Sequence, residues 1–104
     1  MRVIYKYLAF PGGATTCPMT VDRKWLHVEE QHRIVTCWAM IETDAAPESV
    51  NLLIAATGQA LGDEFGRYVG TCLVSDGNLV WHVFEQSRSD EQIEQRRVDH
   101  ELGR

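Results

Sequence analysis

Apolar and β-branched residues fall in short runs divided by polar or glycine-containing stretches, a spacing that predicts strands. The first run, Val3-Ile4-Tyr5-Lys6-Tyr7-Leu8-Ala9-Phe10, stops at Pro11-Gly12-Gly13, where proline and glycine break pairing. A polar stretch with Thr15, Thr16, Pro18 and Thr20 leads to a second strand over Lys24-Trp25-Leu26-His27-Val28-Glu29, whose alternation is blurred. Ile34 to Ile41 is apolar on both parities, the pattern of a central strand covered on both faces. Gln31-His32-Arg33, just before it, is short enough for a hairpin connection, although it lacks Asn-Gly or Asp-Gly. Val50 to Ala56 reads as a strand because Pro47 precedes it and Thr57-Gly58 ends it. Tyr68 to Val74 and Leu79 to Phe84 flank Ser75-Asp76-Gly77-Asn78, the strongest hairpin signal in the chain.

These runs predict a small all-β or β-rich α+β domain of about six antiparallel strands, in a barrel or sandwich-like sheet over residues 1–85. From Gln86 to Arg104 the composition changes to charges of both signs, with Ile93, Val98 and Leu102 the only large apolar residues. Ser89 and Gln92 offer a cap, and Arg97 and Glu101 lie four apart, so a C-terminal helix or a solvated tail is expected.

The length of 104 residues fits one domain, and the net charge of −5 opposes the basic footprint of a nucleic-acid binder. No apolar run reaches the length of a membrane span, and Met1 opens onto Arg2-Val3-Ile4-Tyr5-Lys6 without an uninterrupted apolar signal core. An intracellular protein without membrane or direct nucleic-acid partners is expected. Cys17, Cys37 and Cys72 are odd in number and include no C-x-x-C pair, so free thiols are expected; Cys37 and Cys72 sit in apolar strand contexts.

The segments Ile4-Tyr5-Lys6-Tyr7, Cys37-Trp38-Ala39, Ala56-Thr57-Gly58, Gly66-Arg67-Tyr68-Val69-Gly70-Thr71 and Leu79-Val80-Trp81-His82-Val83-Phe84-Glu85 occur in this order. In that order they resemble a family of small bacteriophage proteins of unknown function, DUF7352-like, from about Ile4 to Glu85. The resemblance implies a phage or prophage source and a role in the cytoplasm of the host bacterium, and it supplies no catalytic residue.

Candidate chemistry is sparse. Gly58, Gly62 and Gly66 recur at four-residue steps, yet no Gly-Lys-Ser/Thr follows and Asp63 and Glu64 would repel a phosphate. A surface loop with permissive glycines is the simpler account. His27, His32, His82 and His100 lie on separate segments without metal-ligand spacing, so no metal and no cofactor is expected. No Gly-x-Ser-x-Gly occurs, and Glu29 and Glu30 point to opposite faces of a strand. Strand alternation sets His82 with Val80 and Phe84, opposite Leu79, Trp81 and Val83. Trp25, Trp38, Trp81, Tyr5, Tyr7 and Tyr68 supply more aromatic surface than a domain of this size hides, so some is available for a partner.

The candidate ligand- or partner-binding surface is Gly58, Gly62, Gly66, Arg67 and Tyr68 with the neighbouring Trp81 and His82, Arg67 supplying a bidentate contact to a phosphate or carboxylate. Two functions follow. One is a non-enzymatic binding protein that blocks a bacterial defence by holding a host defence protein or sequestering its nucleotide signal. The other is a small enzyme acting on a nucleotide or signal molecule with His82, Arg67 and an acidic residue. The missing catalytic constellation favours binding, and aromatic-rich edge strands predict a homo-oligomer.

Overall fold

The computed structural model describes residues 1–74 and 77–87. Seven strands run in chain order: β1 (Arg2–Ala9), β2 (Thr15–Thr20), β3 (Arg23–Gln31), β4 (Ile34–Glu42), β5 (Pro47–Ala56), β6 (Phe65–Val74) and β7 (Leu79–Gln86). They form two antiparallel sheets, sheet A in the order β1-β4-β3 and sheet B in the order β2-β5-β7-β6. The chain passes from A to B after β1, returns after β2, and crosses to B for good after β4. The result is a two-layer sandwich rather than a closed barrel.

The strand absent from the sequence reading is β2. Threonines suit a strand, but Pro18 at its centre argues against one, because proline donates nothing to a ladder. The conflict is resolved by position: β2 is an edge, pairing only with β5, with Pro18 opposite Ser49. Two boundaries also move. Pro47 is the first residue of β5 rather than a break before it, and β6 starts at Phe65, so Gly66 and Arg67 lie on a strand instead of in the loop.

The core lies between the sheets and follows the two-residue period of a strand. Val35, Cys37, Ala39 and Ile41 of β4 face Val50, Leu52 and Ile54 of β5, Cys72 and Val74 of β6, and Val83 of β7. β4 is central, as its apolar pattern predicted, although among the described residues no second layer covers its other face. There Trp38 and Met40 are half-buried among neighbouring side chains, with the His27 ring 5.8 Å from that of Trp38. Tyr7 and Trp25 flank β4 on the inner side and meet edge-to-face at 6.1 Å.

The β3–β4 connection is a two-residue hairpin. Gln31 pairs with Ile34, and His32 and Arg33 both take positive φ, 53° and 67°. A type I′ turn needs positive φ at both central positions, which Asn-Gly meets cheaply and His-Arg meets under strain. The β6–β7 hairpin predicted from Asp-Gly is present as strands, with Val74 paired to Leu79 and Gly77 at φ 88°; Ser75 and Asp76 lie outside the described residues. At the C-terminal end Gln86 completes β7, and the Ser87 N–H donates to the Glu64 carbonyl at 2.7 Å. The strand system therefore extends past the boundary expected at Glu85. The remainder of the expected helix or tail, residues 88–104, lies outside the described residues.

Candidate functional site

Val83 and Glu85 are buried between the sheets, so Val80, His82 and Phe84 stand on the outer face of sheet B. Across the ladder His82 faces Ala55 on one side and Thr71 on the other, while Phe84 faces Leu53 and Tyr68. A register shift between Tyr68 and Gly70 gives β6 an extra residue; Val69 packs against the core while Tyr68 stays outside, 55% exposed. Phe65 and Tyr68 contact Phe84 edge-on, at centroid distances of 5.5 and 5.6 Å. Leu73, opposite Val80 and 62% exposed, extends the apolar surface.

A chain of hydrogen bonds runs through this patch. The Tyr68 hydroxyl is bonded to Thr71 Oγ1, which lies 3.0 Å from His82 Nδ1, while His82 Nε2 lies 2.8 Å from Thr57 Oγ1. Both ring nitrogens are therefore engaged by threonine hydroxyls. This holds the imidazole in one orientation. Thr57 and Thr71, which make the network, were not singled out from sequence; in an alternating strand Thr71 is an ordinary outward residue until His82 is seen opposite it.

The expected site residues divide among several places. Tyr68 and His82 share the outer face, joined through Thr71. Gly58, at φ 89°, makes the turn after Thr57 and so sets the hydroxyl that holds His82. Gly62 sits in the connecting loop, where a Cβ would run into the Glu64 side chain. Gly66 is on β6, and a Cβ there would come within 3.0 to 3.1 Å of the Glu85 carbonyl and of Ser87. Its small size serves the close approach of two backbones. Trp81 points to the inner side, opposite His82, and packs against the core. The exposed Arg67 places its charge near Glu85.

Glu85 belongs to a group of residues the sequence reading did not connect. Arg23 grips it with a two-point fork, Nε to Oε2 at 3.0 Å and Nη2 to Oε1 at 2.6 Å. Arg23 Nη1 also donates to Glu48 Oε2 at 2.7 Å and to the Thr20 carbonyl at 2.9 Å, and Trp25 Nε1 donates to Glu85 at 2.7 Å. The three charged side chains are each about 9% exposed. Burial pushes the Glu85 carboxyl up, but the hydrogen bonds from Arg23 and Trp25 and the positive charges of Arg23 and Arg67 outweigh it, so its pKa falls below the ordinary 4.5. The signal was present in the alternation: Glu85 continues the parity of Trp81 and Val83, and a carboxylate on an apolar parity implies a buried cation.

At the opposite end of the sandwich a cavity of about 500 Å³ opens between the sheets. Phe10, Pro11, Ile34 and Trp81 are among its walls, with Glu30 and the strained Arg33 beside them. Among the described residues no three His, Cys, Asp or Glu side chains gather as metal ligands.

By architecture the described residues form a seven-stranded, two-sheet antiparallel β-sandwich. A domain family of unknown function, DUF7352, matches residues 1–94, and the chain belongs to that family. The match takes in all seven strands and reaches beyond Glu85, where the resemblance had been placed to end. No curated protein and no solved structure matches the chain.

Proposed function

We propose that this is a non-enzymatic binding protein that holds a protein partner against the outer face of sheet B. The observation that carries this reading is the patch itself. Phe65, Tyr68, Leu73 and Phe84 present apolar surface around a hydrogen-bonded chain that fixes the Tyr68 hydroxyl and the His82 ring. A rigid tyrosine within an apolar patch suits the anchors that dominate protein interfaces. A phage source, implied by the sequence resemblance, makes a bacterial defence protein the partner and the host cytoplasm the place of action.

The test is capture from a bacterial lysate by the intact chain, repeated with Tyr68→Ala and Leu73→Asp. Both substitutions fall on exposed positions, so melting temperature should hold while the captured protein is lost. Loss of Tyr68 should weaken binding by about 2 kcal/mol, the threshold of an interface hot spot. Capture unchanged in both variants would sink the assignment.

The cavity at the open end favours a second reading, sequestration of a nucleotide signal, because Phe10 and Trp81 offer flat walls and Arg33 a guanidinium. Heating the protein after incubation with candidate nucleotides and analysing what is released distinguishes the cases. Intact nucleotide supports sequestration, altered nucleotide supports the enzyme alternative, and none leaves the protein-partner reading alone.

A further inference from the structure

The two sheets have four edge strands, and three of them carry features that discourage further pairing. In β2 Pro18 removes a donor. In β3 the register shifts between Trp25 and His27, and Val28 leans against Gly70 of β6. In β6 the register shifts twice, between Phe65 and Tyr68 and between Tyr68 and Gly70. The fourth edge, β1, has none of these. It pairs with β4 without a break from Arg2–Glu42 to Ala9–Val35, and it contains no proline or glycine.

The side chains of β1 show the same incompleteness. Tyr5 is opposite Ala39, which is fully buried, and so belongs to the inner face with Val3, Tyr7 and Ala9. It is nevertheless 47% exposed, because nothing described lies beyond the strand on that side. On the outer face Ile4 is 59% and Leu8 37% exposed.

We infer that β1 pairs antiparallel with β1 of a second copy of this chain, joining the two A sheets across a twofold axis at Tyr5. Charge and overlap together select this register, since centring on Val3 or on Tyr7 avoids like pairs only over a shorter stretch of the strand. The only charged residues of β1 are Arg2 and Lys6. Centring on Ile4 sets Arg2 against Lys6, and centring on Lys6 sets the two lysines face to face, both unfavourable between directly opposite residues. Centring on Tyr5 places Arg2 opposite Leu8, Val3 opposite Tyr7 and Ile4 opposite Lys6, with no like charges paired over the whole of Arg2 to Leu8. The two Tyr5 rings then cover each other on the inner face, and the contact closes as a symmetric dimer. This interface is separate from the outer face of sheet B, and neither depends on the other.

Light scattering and sedimentation of the intact chain, with substitutions at Ile4, test the pairing. The register places Ile4 opposite the partner's Lys6 twice. Ile4→Lys should therefore weaken the dimer on the order of tenfold, whereas Ile4→Glu should leave it as tight or tighter. Ile4 is exposed, so both variants should keep the melting temperature of the parent. As a second readout, Tyr5→Cys should form a disulfide-linked dimer under mild oxidation faster than Val3→Cys or Tyr7→Cys, because only residue 5 meets itself. A monomer at concentrations up to roughly 100 μM, equal effects of Ile4→Lys and Ile4→Glu, or no preference for cross-linking at position 5 would each overturn the proposal.

Discussion

The two ends of the sandwich are built from the same strands and finish differently. At one end Arg23, Glu48, Glu85 and Trp25 tie β3 to β5 and β7 across the gap between the sheets. At the other end residues of β1, β4 and β7 line a cavity rimmed by a hairpin with two non-glycine residues at positive φ. The closed end places charge where apolar packing would serve and satisfies it fully; among the described residues no buried side-chain polar atom lacks a partner. Such a network holds one arrangement because every misaligned alternative leaves a buried charge alone. The open end carries backbone strain and unfilled space, the features that accompany sites of interaction rather than of stability. The contrast suggests that one end sets how the sheets are spaced and the other is left free to receive something.

The largest expected effect lies at the closed end. Glu85→Ala strands Arg23 without its principal partner and should destabilise the fold by about 3–5 kcal/mol, measured by urea unfolding. A cost under 1 kcal/mol would mean that the network is solvated and that the contrast between the ends is false. The same group gives a pH signature. Its folded pKa lies below its unfolded value of 4.5, so the unfolded chain binds the proton first as pH falls. The stability it contributes is therefore present above pH 4.5 and is lost as the pH drops through the folded pKa. Glu85→Gln should flatten that part of the pH profile.

Between the ends, a Cβ at Gly70 would collide with the Val28 side chain, where β3 and β6 come together. Gly70→Ala should cost about 1–3 kcal/mol, the range for overpacking, and should cost less when Val28→Ala is present. Additivity of the two changes would show that the seam does not control the sheet spacing.

At the open end the sign reverses. Replacing His32-Arg33 with Asn-Gly relieves two left-handed non-glycine residues and should stabilise the hairpin by about 1–2 kcal/mol, read as a rise in melting temperature. Because the swap also removes the Arg33 guanidinium from the cavity, ligand retention there should fall as stability rises. The smallest effect concerns the thiols. Cys17, Cys37 and Cys72 are free and buried, and burial pushes the Cys37 thiol up to about 12. Labelling at pH 8 should be absent on the timescale of free cysteine and should appear only with unfolding. Rapid reaction of Cys37 would mean that the core opens locally.

Strand identity was legible where apolar alternation and turn chemistry agreed. The β6–β7 hairpin followed from Asp-Gly between two apolar runs, and β4 declared its central place through Ile34 to Ile41. β2 was illegible because Pro18 is acceptable only on an edge, and being an edge is a property of the sheet order, not of the segment. The surface was legible only in part. Alternation alone separated His82 from Trp81, but which of the two faced outward depended on where the second sheet packed. The sequence by itself determined the period of each strand, and with it which side chains travel together. The tertiary structure decided which face met the other sheet, and so brought Arg23 to Glu85 across 62 residues of chain. Local pattern fixes relative orientation within a strand because the backbone alternates, whereas the partner of each face depends on contacts between segments that no local rule encodes.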